Sequence, residues 1–372
     1  MTKKSIETQL VQLGNHSDVK TGAVNPPIYL STAYKHNGLG QSTGYDYTRT
    51  KNPTRAILEE GIAKLEGGDA GFACSSGMAA IQLVLSLFRS GDELIAPEDL
   101  YGGTYRLFNQ YANSYNIHTT YAKFESVEEV ESLLTKNTKA IFIESPTNPL
   151  MQEIDIHQYA KLAKQHHLLL IVDNTFLTPY LQRPIELGAH IVIHSGTKYI
   201  GGHNDVLAGL VVTSGAELSE KLFANHNAAG AVLSPFDSWL LIRGLKTLHL
   251  RMKQHDANAK KIVKFLQNES AVKDVLYPGK GGMLSFRLQK SEWVGPFLEG
   301  LQLIVFAESL GGVESFITYP ATQTHAEIPE EERNARGVDN SLLRFSVGVE
   351  EAEDLMADLK QVFTALESEV KI

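Results

Sequence analysis

An α/β fold is what this 372-residue sequence predicts: a mostly parallel sheet with helices on both faces, plus a smaller C-terminal α+β domain. Three observations carry that reading. Short apolar runs rich in Ile, Val and Leu (Glu93–Ala96, Ala140–Ile143, Leu168–Val172 and Ile191–Ile193) recur between longer polar–apolar stretches. The runs are continuous rather than alternating, which is the pattern of strands buried on both faces. Beyond about Leu240 the grammar changes to long helical stretches, Lys246–Asn268 and Ala352–Leu366, with a few strands between them.

Residues 1–50 hold little periodic pattern and many turn formers, among them Asn25-Pro26-Pro27 and Gly38, Gly40 and Gly44. They read as an extended arm lying on other structure. Thr54–Leu65 turns helical, Gly71–Ala73 reads as a short strand, and Gly77–Phe88 as a helix. The four later runs supply buried strands, and stretches such as Ile156–His166 supply the helices that cover them. The expected division is an arm (1–50), a sheet domain bearing the ligand site (51–240) and a C-terminal domain (241–372).

Composition narrows the function. Lys and Arg number 34 against 43 Asp and Glu, a net charge of -9, which argues against a nucleic-acid partner because polyanions need a basic face. The single cysteine, Cys74, excludes an internal disulfide and fits a reducing compartment. The opening MTKKSIETQL has no apolar stretch behind its lysines, and no run approaches the roughly 18 apolar residues of a membrane span. The expectation is a soluble cytoplasmic protein, away from membranes.

In open parallel sheets the ligand site lies beyond the carboxyl ends of the strands. Leu168–Val172 is followed by Asp173-Asn174-Thr175, and Ile191–Ile193 by His194-Ser195-Gly196-Thr197-Lys198. Ala140–Ile143 is followed by Glu144-Ser145-Pro146-Thr147-Asn148-Pro149, and Gly71–Ala73 by Cys74-Ser75-Ser76-Gly77-Met78. One edge thus collects an aspartate, a lysine, several hydroxyls and a helix start. Free N–H groups at Gly77 and Met78, with the helix dipole, suit a phosphate, and Ser195 and Thr197 add neutral donors. Lys198 can form a Schiff base with an aldehyde. Asp173 can pair with a protonated ring nitrogen and make the ring a better electron sink. Those are the three requirements of pyridoxal phosphate (PLP).

Taken singly, each feature has a plain structural explanation. A strand-end Asp is more often a turn former, and Ser-Gly-Met at a helix start is usually a cap. Their co-occurrence on consecutive strands is what favours chemistry. Rival motifs fail. Gly38-Leu39-Gly40 continues to Gly44 with the wrong spacing for a dinucleotide fingerprint, and Gly279-Lys280 lacks the hydroxyl of a P-loop. No GxSxG or HExxH occurs, and the 13 histidines form no helical pair beside a carboxylate, so no metal site is expected. Cys74 needs no chemistry to explain a small residue at a strand end.

The segments YDYTRTKNPT (45–54), SSGMAAI (75–81), DLYGGTYRLF (99–108), ESPTNPL (144–150), VDNTF (172–176), HSGTKYIGGHND (194–205), AESLGGVES (307–315) and LLRFSVGVE (342–350) resemble the Cys/Met-metabolism PLP-dependent enzymes. The match spans nearly the whole chain. The resemblance implies the aspartate-aminotransferase-like (type I) PLP fold, assembled as a homotetramer of two catalytic dimers. It implies that Lys198 is the cofactor lysine and proton shuttle, Asp173 the ring-nitrogen partner, and Tyr101 the ring stacked on the cofactor. Gly77, Met78, Ser195 and Thr197 are similar to the family's phosphate cradle, and Tyr47 and Arg49 to the pair that reaches the neighbouring subunit's phosphate. Arg344 resembles the arginine that binds the substrate α-carboxylate, with Asn148 and Ser309 in support. Glu308 stands where the β-cleaving members tend to carry an aromatic residue, and Asp46 and Arg106 follow the pattern of bacterial γ-synthases. These three join the implied substrate contacts. At Tyr277–Met283 (YPGKGGM) the chain is shorter than its relatives, which bears on the C-terminal surface rather than the cofactor site.

The implied reaction is γ-replacement in methionine biosynthesis. L-Cysteine replaces the acyloxy group of an O-acyl-L-homoserine (acetyl or succinyl) to give L-cystathionine, and sulfide gives homocysteine. Two alternatives stay open: γ-cleavage of cystathionine, and a non-catalytic regulator that retains the fold.

Overall fold

The computed structural model describes residues 4–369. Seven strands form the first sheet: β1 (Ala70–Cys74), β2 (Glu93–Pro97), β3 (His118–Ala122), β4 (Thr138–Glu144), β5 (Leu169–Asp173), β6 (Ile191–Ser195) and β7 (Gly209–Thr213). Their order is β1-β7-β6-β5-β4-β2-β3. The pairings from β6 through β5, β4 and β2 to β3 are parallel, and β7 runs against both its neighbours. Glu144 lies opposite Asp173, and Asp173 opposite Ile193, so the carboxyl ends of β4, β5 and β6 come level.

A smaller five-stranded sheet comes next, made of β8 (Val272–Leu276), β9 (Met283–Leu288), β10 (Val305–Phe306), β11 (Phe316–Thr318) and β12 (Leu342–Ser346), in the order β10-β11-β12-β9-β8. A helix at Ala352–Glu369 packs on it through Leu355, Leu359, Val362 and Phe363. Among the described residues no helix is long and apolar enough to cross a membrane.

The strands expected of the first sheet are all present, with ends displaced by one or two residues. Two further strands go beyond that expectation. β3 (HTTYA) is an edge strand that is only partly buried, so it needs no apolar run. β7 is apolar and fully buried, but an antiparallel insert is not anticipated by a βαβ pattern.

Local chemistry sets the helix limits. Asn52 caps the Pro53–Glu66 helix by accepting from the N–H groups of Thr54 and Arg55, and Gly67 ends it in the left-handed region at φ 78°. Ser76 caps the Gly77–Leu85 helix through the N–H of Ala79. That helix stops short of the expected Phe88.

The long helix starts at Pro235, behind a Ser234 cap, well before Lys246. Its Leu241, Leu245, Leu248 and Met252 fill the first core, and its Ala259, Ile262 and Leu266 fill the core of the second sheet. One face with helical spacing therefore serves both cores, across the residue-240 boundary expected from the sequence. A second difference lies near the N-terminus. Ile6–Val11 is a helix, and Leu10 and Leu13 join Leu58 and Ile62 in the first core. Six residues are too few to show a period, so the stretch reads as arm. Only the segment after it is extended, and there Val19, Val24, Leu30 and Leu39 stand in solvent.

Candidate active site

The cavity at the carboxyl ends of β4, β5 and β6 arises from strand alternation. Successive side chains point to opposite faces, so Glu144, Asp173 and Ser195 turn the same way, into one space. The same cavity is lined by Gly77, Met78, Tyr101, Asn148, Thr197, Lys198, Glu308, Ser309 and Arg344. The chain thus brings together, from its two sheets and the loops between them, most of the residues singled out in the sequence.

One end of the cavity is built for an anion. Gly77 and Met78 open a capped helix, and their N–H groups have no acceptor among the described residues. A Cβ on Gly77 would stand 3.0 Å from the Ser195 Cβ and Oγ, so only glycine leaves this corner open. The Ser195 hydroxyl likewise has no partner among the described residues. The Thr197 hydroxyl, by contrast, is engaged with Ala208: it donates to the carbonyl at 3.2 Å and accepts from the N–H at 3.0 Å.

At the floor lies Asp173. Its Oδ1 accepts from the Thr175 N–H at 3.0 Å and the Thr175 hydroxyl at 2.6 Å. Its other oxygen has no donor among the described residues. Burial pushes the Asp173 carboxyl above its ordinary pKa, against the pull of those two bonds. Such a carboxylate is suited to a cationic N–H.

Lys198 stands between floor and mouth, with Nζ 3.5 Å from the Ser309 Oγ. Burial, reinforced by the Arg344 charge and opposed by Glu308, lowers its pKa to about 8. A larger share of the amine is therefore neutral and nucleophilic near neutral pH. Its backbone is held from behind. Arg251, buried, donates to the carbonyls of Tyr199 (2.6 Å), Ile200 (3.4 Å) and Gly244 (2.7 Å), with no carboxylate in ion-pair range among the described residues. A Cβ on Gly202 would collide with its guanidinium, and one on Gly244 with the Ile200 carbonyl.

Arg344, on β12 of the second sheet, reaches over the same cavity. It donates to the Asn148 Oδ1 at 3.0 Å, the Ser309 carbonyl at 3.2 Å and the Thr318 hydroxyl at 3.0 Å, leaving Nε without a partner among the described residues. Burial brings its pKa down to about 10, so it stays cationic at neutral pH. Tyr101 stands at the start of the Gly102–Tyr115 helix, and its phenol is pushed up by burial and then by Glu308. Glu308 itself is exposed at the rim.

Four residues lie outside this cavity. Tyr47 and Arg49 stack on each other at the surface, and Arg49 donates to the Asn227 backbone and side chain. Asp46 pairs with His36 at 2.9 Å. Arg106 lines an adjoining groove with Glu308 and pairs with Glu327.

Glu144 is given no role by the sequence, yet it lines the cavity and accepts the Tyr101 N–H at 3.0 Å. Burial, then Asp173, push its carboxyl well above the ordinary range. Its strand-end position is the available signal, the same one that marks Asp173. Thr324 also lines the cavity, from a loop far along the chain that offers no local motif.

Known relatives agree with this geometry. The family model for Cys/Met-metabolism PLP-dependent enzymes matches residues 7–364. A cystathionine γ-synthase/O-acetylhomoserine (thiol)-lyase of Bacillus subtilis is 65% identical over 356 residues, covering 96% of this chain and 95% of that protein. A cystathionine γ-synthase of Haemophilus influenzae is 62% identical over 363 residues, covering 97% and 98%. Among solved structures, cystathionine γ-synthase from Xanthomonas oryzae pv. oryzae in complex with cystathionine superposes with a TM-score of 0.96. It is 42% identical, with 99% of this chain and 100% of that one covered. With the fold, the cavity and the family model in agreement, the chain belongs to the Cys/Met-metabolism PLP-dependent enzymes.

Proposed function

We propose that this enzyme catalyses γ-replacement on an O-acyl-L-homoserine, with L-cysteine as the thiol that gives L-cystathionine and sulfide as a second thiol that gives homocysteine. One observation carries the reading: a buried amine of lowered pKa, Lys198, shares one cavity with an open anion corner, an unshared carboxylate oxygen and a carboxylate-binding guanidinium. The names of the similar proteins support the choice of reaction.

The residues fit PLP. The N–H groups of Gly77 and Met78 and the hydroxyl of Ser195 would hold its phosphate, with the contribution of Thr197 limited by Ala208. Asp173 would accept its ring N–H, Tyr101 would cover its ring, and Lys198 would hold its aldehyde carbon. When bound, the cofactor supplies an electron sink for charge that develops at the substrate Cα and then Cβ. The protein supplies the rest. Arg344 fixes the α-carboxylate through its planar fork, with Asn148 and Ser309 setting the angle of the guanidinium. Lys198 Nζ takes the proton from Cα and then one from Cβ, the acyloxy group departs from Cγ as a carboxylate, the thiol sulfur adds there with loss of its proton, and Cβ and then Cα regain theirs. Asp46 and Glu308 meet the ammonium of the incoming cysteine, and Arg106 the outer part of the substrate.

Tyr47, Arg49 and Asp46 do not reach their own cavity, and the arm around them is largely exposed. We assign them to the cavity of a second copy, in a homotetramer of two catalytic dimers. The cytoplasm is the compartment that suits a single buried cysteine.

The test gives purified enzyme each acyl-homoserine with cysteine or sulfide, and separately cystathionine alone. Cystathionine formed from an acyl ester and cysteine supports the reading. Cleavage of cystathionine with no turnover of any ester overturns it in favour of a γ-lyase.

A further inference from the structure

We infer that Glu66 is a positioning residue for the cofactor site, acting through His194 and Asn174 to fix the spacing of the strand ends that carry Asp173 and Ser195. The inference rests on the cofactor assignment above. Its basis is the face of the sheet turned away from the cavity. Where Asp173 and Ser195 point into the site, the adjacent residues Asn174 and His194 point behind it.

There they meet one carboxylate. The Glu66 Oε1 accepts from the His194 Nε2 at 2.7 Å and from the Asn174 Nδ2 at 3.0 Å. Glu66 is the last residue of the Pro53–Glu66 helix, and all three side chains are fully buried. The chain of contacts goes on. Asn174 also donates to the Gln182 carbonyl at 2.9 Å, and the Gln182 amide donates to the Asn174 Oδ1 at 3.1 Å and to the Ser145 carbonyl at 3.2 Å. Ser145 directly follows Glu144 at the end of β4. A single hydrogen-bonded line therefore runs behind the ends of β4, β5 and β6.

The β5–β6 ladder alone does not carry both residues. Paired registers between β5 and β6 stop at Asp173 and Ile193, and the last backbone bond runs from the Asn174 N–H to the Ile193 carbonyl at 2.9 Å. Asp173 and Ser195 thus sit where the β5–β6 ladder gives out, held on their outer sides by Glu144 of β4 and Gly209 of β7, and joined on the cavity side by the Thr175 hydroxyl, which accepts the Ser195 N–H at 2.8 Å and donates to the Asp173 Oδ1 at 2.6 Å. The Glu66 carboxylate adds a second tie on the opposite, buried face, from Asn174 to His194. It does so at a cost, since the Glu66 Oε2 and the His194 Nδ1 are buried without a partner among the described residues. An apolar trio would fill the space without that penalty but would not tie two strands to one point. Glu66 touches neither cofactor nor substrate, so its effect reaches the site only through the strands.

The experiment uses the holoenzyme and reads the cofactor dissociation constant by the visible band, with kcat and KM read separately. Glu66→Ala should weaken cofactor binding and lower kcat by about 10–100-fold, the range for groups that orient a ligand at second hand, with KM for the acyl ester within about twofold. Glu66→Gln keeps an oxygen for both donors and should restore both readouts to within about threefold of the parent. If Glu66→Ala fails to fold, His194→Leu severs the β6 contact alone and should weaken cofactor binding in the same sense. A variant that melts lower yet binds cofactor and turns over as the parent does would reduce Glu66 to a structural residue. A Gln variant as impaired as the Ala variant would equally overturn the proposal. A parent enzyme with no visible band would instead sink the cofactor assignment, a distinct result.

Discussion

The floor of the cavity and the segment around Tyr47 contribute to the same proposed site, yet they are built in opposite ways. Asp173, Ser195 and Lys198 sit at strand ends backed by a sealed core, each with its position dictated by neighbours in the same chain. Tyr47 and Arg49 stand at the surface of an arm where Val19, Val24, Leu30 and Leu39 face solvent, and their side-chain partners among the described residues are one another and Asn227. A buried group acquires its chemistry from its own fold, as the lowered pKa of Lys198 shows. An exposed one acquires it only when a second surface covers it. The floor is complete in one copy; on the proposed reading the arm needs a second.

Replacing a floor residue should therefore have the largest effect. Lys198→Ala should abolish the visible band of the bound cofactor and cut turnover by about 10²–10⁴-fold or more. Borohydride reduction followed by peptide mapping should place the adduct on Lys198, and an adduct elsewhere would remove the central assignment.

The arm comes next. Arg49→Ala should cost about 10–100-fold in kcat/KM, the worth of one charge-assisted contact to phosphate. Mixed and refolded with Lys198→Ala, it should regain part of the activity, because some sites then combine an intact floor with an intact arm. Proven subunit exchange without recovery would break the comparison.

A third, smaller effect sharpens the contrast through pH. Cofactor-free protein should capture PLP faster as pH rises and level off above about 8, because only the neutral Lys198 amine attacks. The sign comes from burial, which depresses the pKa and disfavours the charged form. A plateau appearing only above about 10, the range of an ordinary lysine, would mean that the floor is wet. Stopped-flow mixing measures it.

The smallest effect belongs to the rim. Glu308 is exposed, so its pairing with the ammonium of cysteine should be worth only about two- to fivefold. Glu308→Ala should lower the cysteine reaction by that factor and leave the sulfide reaction unchanged. Equal losses with both thiols would assign Glu308 to the acyl-homoserine instead.

The same divide governs what the sequence makes legible. Residues at the ends of continuous apolar strands announce themselves, which is why Asp173, Ser195 and Lys198 are readable from the order of residues alone. The helix start at Gly77 is readable because its Ser76 cap is local. Contacts between distant segments leave no such mark. Glu66 and His194 meet across 128 residues, and neither has a neighbour pattern that points to the other. Thr324 reaches the cavity from a loop without a motif. The early start of the long helix is an intermediate case. Ser234-Pro235 is a sound start signal, but a helix serving two cores presents a broad apolar face in which the period is blurred.

The clamp made by Arg251 also bears on how this enzyme tolerates change. Three of its acceptors are carbonyl oxygens spread over two segments, so the loop of Lys198 and the helix that enters the second core share one fastening. A lysine in its place carries a single point of donation and cannot span them. Gly202 and Gly244 have no room for even a methyl group beside it. These positions form a unit that has to be inherited together: altering one leaves the other two shaped for an absent neighbour. Attempts to retune the reactivity of Lys198 therefore have more freedom at the open mouth, around Glu308 and Ser309, than along the backbone on which the lysine stands.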